Sequence, residues 1–140
     1  MKIDLHSHTH YSDGKLSPKE LIDRAHTMQV NVLAITDHDT VDGIQEAQDY
    51  QSQQKRALQI LPGVEISTSW HNFDIHILGL NVDHTDALFL QRLQQQSQER
   101  DRRAQQMSDK LAKVGIEDVL KQAKILAGKG QITRAHFARV

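Results

Sequence analysis

His6-Ser7-His8 is the first place in the chain where chemistry is legible. On an extended backbone, residues two apart point to the same side, so both imidazoles can serve one site. Imidazole nitrogens suit Zn, Mn and Fe, and a nearby carboxylate shifts the preference towards the harder ions. Asp13 follows in Ser12-Asp13-Gly14, a turn-prone string that can fold back over the pair. Alone Asp13 is a turn residue; beside His6 and His8 it becomes a third ligand. Asp37-His38-Asp39 comes directly after an apolar run, and charge placed there needs partners or a metal. His38 is the ligand candidate, with Asp37 or Asp39 available to orient an imidazole. The same acids also suit a helix N-terminus, with Asp39 or Thr40 as cap. Glu65, between Val64 and Ile66, and His76, opposite the face of Phe73, Ile75 and Ile77, each read either as ordinary strand residues or as ligands at the mouth of a site.

The six together, His6, His8, Asp13, His38, Glu65 and His76, offer more nitrogen and oxygen donors than one ion with an open position uses. Two or three divalent ions are therefore expected. Asp13 and His38 are also the candidate catalytic residues. Near the other end, Arg134 and His136 are the candidates for holding phosphate oxygens, a task suited to guanidinium geometry. The alternative there is an ordinary helix start capped by Thr133.

The elements that must position these residues follow from periodicity. Residues 2–6 alternate and read as a first strand. Ser17-Pro18-Lys19-Glu20 is a helix start, with Ser17 at the N-cap, Pro18 at the first position and Glu20 closing a capping box. Leu21, Ile22, Ala25 and Met28 give that helix one buried face. Residues 30–36 form a short apolar run of the kind found in parallel strands covered on both sides. A second helix is expected over 41–54, a third strand over 58–61 broken by Pro62-Gly63, and a fourth over 73–82. From Asp86 the pattern turns helical. Residues 94–103 carry no apolar side chain, and a continuous helix over 86–114 would run roughly 40 Å. This is expected to be an arm leaving the core. A short helix over 118–127 and a helix start at Thr133 complete the order. Residues 1–85 thus read as an α/β unit and 86–140 as a helical insertion with a return segment.

Composition narrows the function classes. The net charge is −1, from 17 Lys and Arg against 18 Asp and Glu, so the overall field is not one that coats a long nucleic-acid duplex. A small anion or a nucleic-acid end is still a fitting partner. With no cysteine, disulfides, thiolate ligands and Cys nucleophiles are excluded, and any metal is held by imidazole and carboxylate. No apolar window approaches a membrane span, so a cytoplasmic protein with no membrane partner is expected.

The motifs in order resemble the PHP (polymerase and histidinol phosphatase) family. The matching strings are Asp4-Leu5-His6-Ser7-His8-Thr9 with Tyr11-Ser12-Asp13-Gly14, then Ile35-Thr36-Asp37-His38-Asp39-Thr40, Pro62-Gly63-Val64-Glu65-Ile66 and His76-Ile77-Leu78-Gly79. With the continuation to Thr133-Arg134-Ala135-His136-Phe137, the chain looks most like the 3′,5′-nucleotide bisphosphate phosphatase and RNase AM type. The resemblance implies the N-terminal part of a distorted, TIM-like (β/α)7 barrel and a trinuclear centre of Mn, Fe or Zn, Mn favoured, held by His6, His8, Asp13, His38, Glu65 and His76. It implies a phosphorylated nucleotide or short RNA end as substrate. Family members supply further ligands later in the chain, a His and an Asp-x-His, so these residues are expected to be part of a longer protein. Competing readings are another phosphatase of the family with a histidinol-phosphate-like substrate, an amidohydrolase, or an inactive metal-binding fragment whose open sheet edges invite self-association.

Overall fold

A computed structural model of the chain describes residues 1–71 and 73–140. Four strands form one sheet in the order β1-β2-β3-β4: β1 is Ile3–Asp4, β2 Val32–Ile35, β3 Gln59–Trp70 and β4 Phe73–Leu80. The first three are parallel, and β4 returns antiparallel to β3. Between the parallel strands lie α1 (Pro18–Thr27) and α2 (Asp42–Ser52), and α3 (Ala87–Ala112), α4 (Val119–Ala127) and α5 (Arg134–Phe137) follow β4. The α/β expectation for the first part of the chain is met.

Local chemistry explains these boundaries. Ser17 caps α1 as a full capping box with Glu20, and Pro18 occupies the first turn, where its missing N–H is not needed. Ile22 and Ala25 are buried against Leu33, Ile35, Ile44 and Ala47 in one cluster, which is the core of the βαβα unit. Met28, expected on that face, is half exposed because the helix has ended there.

The third strand differs from expectation. Pro62-Gly63 does not break it, and β3 runs for 12 residues. Pro62 pairs with Ile35 at the end of the parallel ladder, and its carbonyl accepts from Val82 N at 3.2 Å. The missing N–H of Pro62 therefore falls where β3 exchanges a parallel partner for an antiparallel one. Gly63 is required by close approach: a Cβ there would lie 2.7 Å from Thr36 Cγ2. Beyond this point β3 and β4 continue as a hairpin past the end of β2, forming a wall beside the C-terminal ends of the parallel strands.

The helical arm also differs from expectation. α3 has 26 residues, about 39 Å of helix, but it does not leave the core. Leu93 belongs to the same apolar cluster as Ile22 and Leu33. Within the polar stretch, Gln96 Nε2 donates to Ser67 O at 2.8 Å, and Arg100 reaches Asp39. Polar residues here are the means of attachment to the sheet.

Candidate metal centre

His6 and His8 lie just past β1, at the C-terminal end of the parallel strands. The loop that carries them is tightly folded. Thr9 O accepts from both Ser12 N at 3.1 Å and Gly14 N at 3.0 Å, which brings Asp13 back beneath His8. Gly14 permits this, because a Cβ at that position would lie 2.3 Å from His8 O. Asp37, two residues past β2, clamps the loop: it is 1% exposed and accepts from Thr9 N at 2.7 Å, Thr9 Oγ1 at 2.6 Å and Ser12 Oγ at 2.6 Å. The expectation that Asp37 or Asp39 orients an imidazole is corrected. Asp37 orients the whole loop, and Asp39 serves another purpose described below. The N-cap position of α2 is Val41, and Thr40, one residue earlier, accepts from Asp42 N at 3.2 Å through its Oγ1, so Thr40 rather than Asp39 serves the helix start.

Glu65 and His76 come from the hairpin. Glu65 pairs with Leu78, and Ser67 with His76, so Glu65 and His76 are diagonal neighbours on one face. Both are interior to strands that run on beyond the end of β2. His38 joins them through an isolated parallel bridge to Glu65, with Asp39 N donating to Glu65 O at 3.0 Å and Glu65 N to Asp37 O at 3.0 Å.

These elements bring all six expected residues together. Their ligand atoms form three overlapping triads, each within 4.8 Å: His6, His8 and Glu65; His8, Asp13 and His38; His38, Glu65 and His76. Glu65 Oε2 is 2.8 Å from His6 Nε2 and 3.1 Å from His8 Nε2, while Oε1 is 2.8 Å from His76 Nδ1. Its two oxygens thus face two different imidazole groups. Asp13 Oδ2 lies 3.4 Å from His38 Nε2, and Asp13 Oδ1 3.8 Å from His8 Nδ1. The His8 and His38 rings stack at 4.7 Å.

The electrostatics match a cation site. The hydrogen bond from His38, outweighing burial, holds the Asp13 carboxyl at about 2. Burial pushes Glu65 up, but the His6 bond, the His38 charge and the His76 bond together leave it below its ordinary value. Burial lowers His8, and the neighbouring His38 lowers it further. Carboxylates kept ionised beside an imidazole kept neutral are in the states that metal ligation requires. His38 Nδ1 is buried with no hydrogen-bond partner, 3.8 Å from Glu65 Oε2. An orphaned ring nitrogen facing a carboxylate oxygen is the geometry of two ligands to one ion, and the all-N/O donor set fits a divalent metal.

The centre opens into a groove of about 350 Å³. Asp13, His38 and His76 form its floor; Arg103, Met107 and Lys110 of α3 line one wall, and Thr133, Arg134 and Phe137 another. Arg134, expected to meet phosphate, lines this wall and pairs with Asp74. His136 is the other residue expected to meet phosphate. It is 2% exposed, and its Nδ1 accepts from Thr133 N at 3.0 Å, closing the cap of α5.

A family model for the PHP domain matches residues 4–139. The chain belongs to the PHP domain family. Its relatives include the 5′-3′ exoribonuclease Rnm of Escherichia coli K12, 50% identical over 136 residues, covering 97% of this chain and 46% of that protein. The 3′,5′-nucleoside bisphosphate phosphatase of Chromobacterium violaceum is 38% identical, covering 98% and 48%. A solved amidohydrolase from Chromobacterium violaceum, with bound sulfate and no metal, superposes with a TM-score of 0.89 at 38% identity, over 99% of this chain and 49% of that one. The PHP chain thus spans about half the length of the curated relatives it matches. Its α/β unit is the N-terminal part of the barrel. Among the described residues, no helix is long and apolar enough to cross a membrane.

Sequence reasoning did not find the partnership that fixes α3 to this PHP site. Asp39, with a fully buried side chain, pairs with Arg100 Nε at 2.6 Å and accepts from Ser67 N at 2.9 Å; Arg100 also donates to Ser67 Oγ at 2.5 Å and Ile132 O at 3.2 Å. A positive φ of 52° at Asp39 turns its carboxylate towards the helix. The available signal was the third charge in Asp37-His38-Asp39, which one ligand and one orienting acid left unused.

Proposed function

We propose that this protein is a metal-dependent phosphoester hydrolase acting on phosphorylated nucleotides, removing phosphate from nucleoside 3′,5′-bisphosphates or hydrolysing short RNA from its 5′ end. The observation that carries this reading is the set of three overlapping triads sharing Glu65, His8 and His38, open to a groove walled by cationic side chains. The names of the Escherichia coli and Chromobacterium violaceum relatives support the substrate class.

In this reading His6, His8, Asp13, His38, Glu65 and His76 hold two or three divalent ions, Mn before Fe or Zn. When bound, such ions lower the pKa of water and neutralise charge on the transferring phosphoryl group. The protein's own contribution is placement. Asp37 locks the loop of His6 and His8, and Glu65 joins the imidazoles of that loop to the imidazole of β4. Asp13 and His38 act closest to the reacting phosphate, since both face the groove, and Asp13 stays anionic across the physiological range. Arg134 meets phosphate oxygens, exchanging Asp74 for substrate. Residues 1–85 supply the metal ligands, and 86–140 supply the substrate wall. The setting is the cytoplasm, where nucleotides are abundant.

The test is phosphate release from a nucleoside 3′,5′-bisphosphate and from a 5′-phosphorylated oligoribonucleotide by the full-length protein. Activity is expected to vanish on chelation and return with Mn²⁺. Full activity in a metal-free preparation overturns the reading, as does hydrolysis of neither substrate by the metal-loaded protein.

A further inference from the structure

The inner face of α3 carries charge that the metal centre does not use. Arg100, Arg103, Met107 and Lys110 follow the spacing of a single helix face. The buried contacts of Arg100 fix the rotation of the helix about its axis, and so fix which residues look into the groove. Arg103, Met107 and Lys110 do.

The cations around the groove differ in what neutralises them. Arg100 is matched by Asp39 and Arg134 by Asp74. Glu99, the acid one turn below Arg103, is taken by Arg102. Among the described residues, Arg103 and Lys110 have no acidic partner within 4.0 Å. Two unmatched cations on one wall of a groove, in a chain of net charge −1, form a local field for an anion. They are seven residues apart, about 10 Å along the helix, too far to grip one phosphate together. Arg103 is one turn from Arg100, which is anchored to Asp39 next to His38, and Lys110 is two turns beyond Arg103 along the same groove.

We propose that Arg103 and Lys110 hold successive phosphates of the substrate other than the one being hydrolysed. Arg103 takes the second phosphate of a bisphosphorylated nucleotide or dinucleotide, and Lys110 takes a later phosphate that only a longer single strand supplies. This rests on the phosphoesterase reading above and adds the residues that select polyphosphorylated substrates over simple monoesters.

The test compares the metal-loaded full-length protein with Arg103→Ala and Lys110→Ala, using p-nitrophenyl phosphate, a nucleoside 3′,5′-bisphosphate and a 5′-phosphorylated pentaribonucleotide. Losing one charge-assisted phosphate contact at a half-open site is worth roughly tenfold. Arg103→Ala is expected to lower the kcat/KM preference for bisphosphate over monoester by about that factor. Lys110→Ala is expected to lower the preference for pentanucleotide over bisphosphate. Arg103→Lys keeps most of the preference, and Arg102→Ala, on the outer surface, leaves all ratios unchanged. A second arm measures pentanucleotide binding by fluorescence anisotropy in chelator, where no hydrolysis is required. Each variant is expected to weaken binding and to reduce the salt slope by about 0.7. Unchanged preferences in the first arm, or unchanged affinity and slope in the second, overturn the proposal. Absence of all hydrolysis with binding that still depends on Arg103 and Lys110 overturns the phosphoesterase reading alone.

Discussion

Arg100→Met is the substitution that most directly tests how α3 is held. The Asp39 side chain is fully buried, and the Arg100 side chain is 10% exposed. Removing one partner of such a pair leaves a charge without water or counter-ion, at a cost of about 3–5 kcal/mol. The Ser67 Oγ and Ile132 O bonds are lost too, while the apolar methionine stem recovers part of the packing, so a value near 4 kcal/mol is expected. In a domain of this size that lowers Tm by on the order of 15 °C. Urea unfolding followed by circular dichroism gives the free energy, and an unchanged m-value would show that the folded state keeps its compactness. A cycle with Asp39→Asn isolates the pair, with the double variant less destabilised than the sum by about 2–3 kcal/mol. Moderate salt is expected to leave the effect intact, because buried pairs are weakly screened. The exposed Glu99–Arg102 pair provides the contrast, and Glu99→Gln is expected to cost within about 0.5 kcal/mol. A cost for Arg100→Met below about 1 kcal/mol, or additivity in the cycle within about 0.5 kcal/mol, refutes the reasoning.

Two further outcomes follow from the site. Glu65 belongs to two triads and His76 to one, so Glu65→Gln is expected to remove more tightly held metal per chain than His76→Ala, with a loss of affinity of at least about 100-fold; equal losses by elemental analysis would rule out the sharing role of Glu65. Burial, reinforced by the charges of Arg139 and Arg100 against the opposing Asp13, lowers His136 below 6.5, so the unfolded chain binds more protons below that pH and stability falls as pH drops from 6.5. His8 acts in the same direction. His136→Asn is therefore expected to flatten, without abolishing, the loss of unfolding free energy between pH 7 and 5 in chelator, and an unaltered slope would contradict the burial argument.

How much of this was legible in the sequence depended on how local the physics was. The capping box of Ser17 and Glu20 and the apolar run of β2 are decided within a few residues, and both were readable. The six clustered residues were readable because strand alternation and turn chemistry restrict where a side chain can point. Pro62 misled because its usual meaning as a breaker depends on needing an N–H, and only the switch of partners from β2 to β4 removes that need. The stretch 94–103 misled for a different reason. Arg100 is satisfied by residues 61, 33 and 32 positions away, and no local pattern distinguishes an arginine awaiting such partners from one facing water. The ring of His136 also serves its own helix start three residues back, a role that histidine shares with glutamate in a capping box and that its residue type alone does not announce.

The Arg100–Asp39 pair is poorly explained as a device for stability alone, since a well-packed apolar pair of the same volume is often as stable. What an apolar pair cannot supply is direction. Arg100 donates to three separate segments: the turn after His38 through Asp39, strand β3 through Ser67, and the return segment through Ile132. Asp39 is one residue past His38, and Ser67 is two past Glu65 on the same face. A single guanidinium therefore sets the height and rotation of α3 against the segments of His38 and Glu65, two of the three residues that triads share. Sliding the helix by one residue would break the fork geometry, whereas a greasy contact would tolerate the shift. The groove between α3 and the metal centre keeps its width for that reason, and the cations along its wall keep fixed distances from the chemistry.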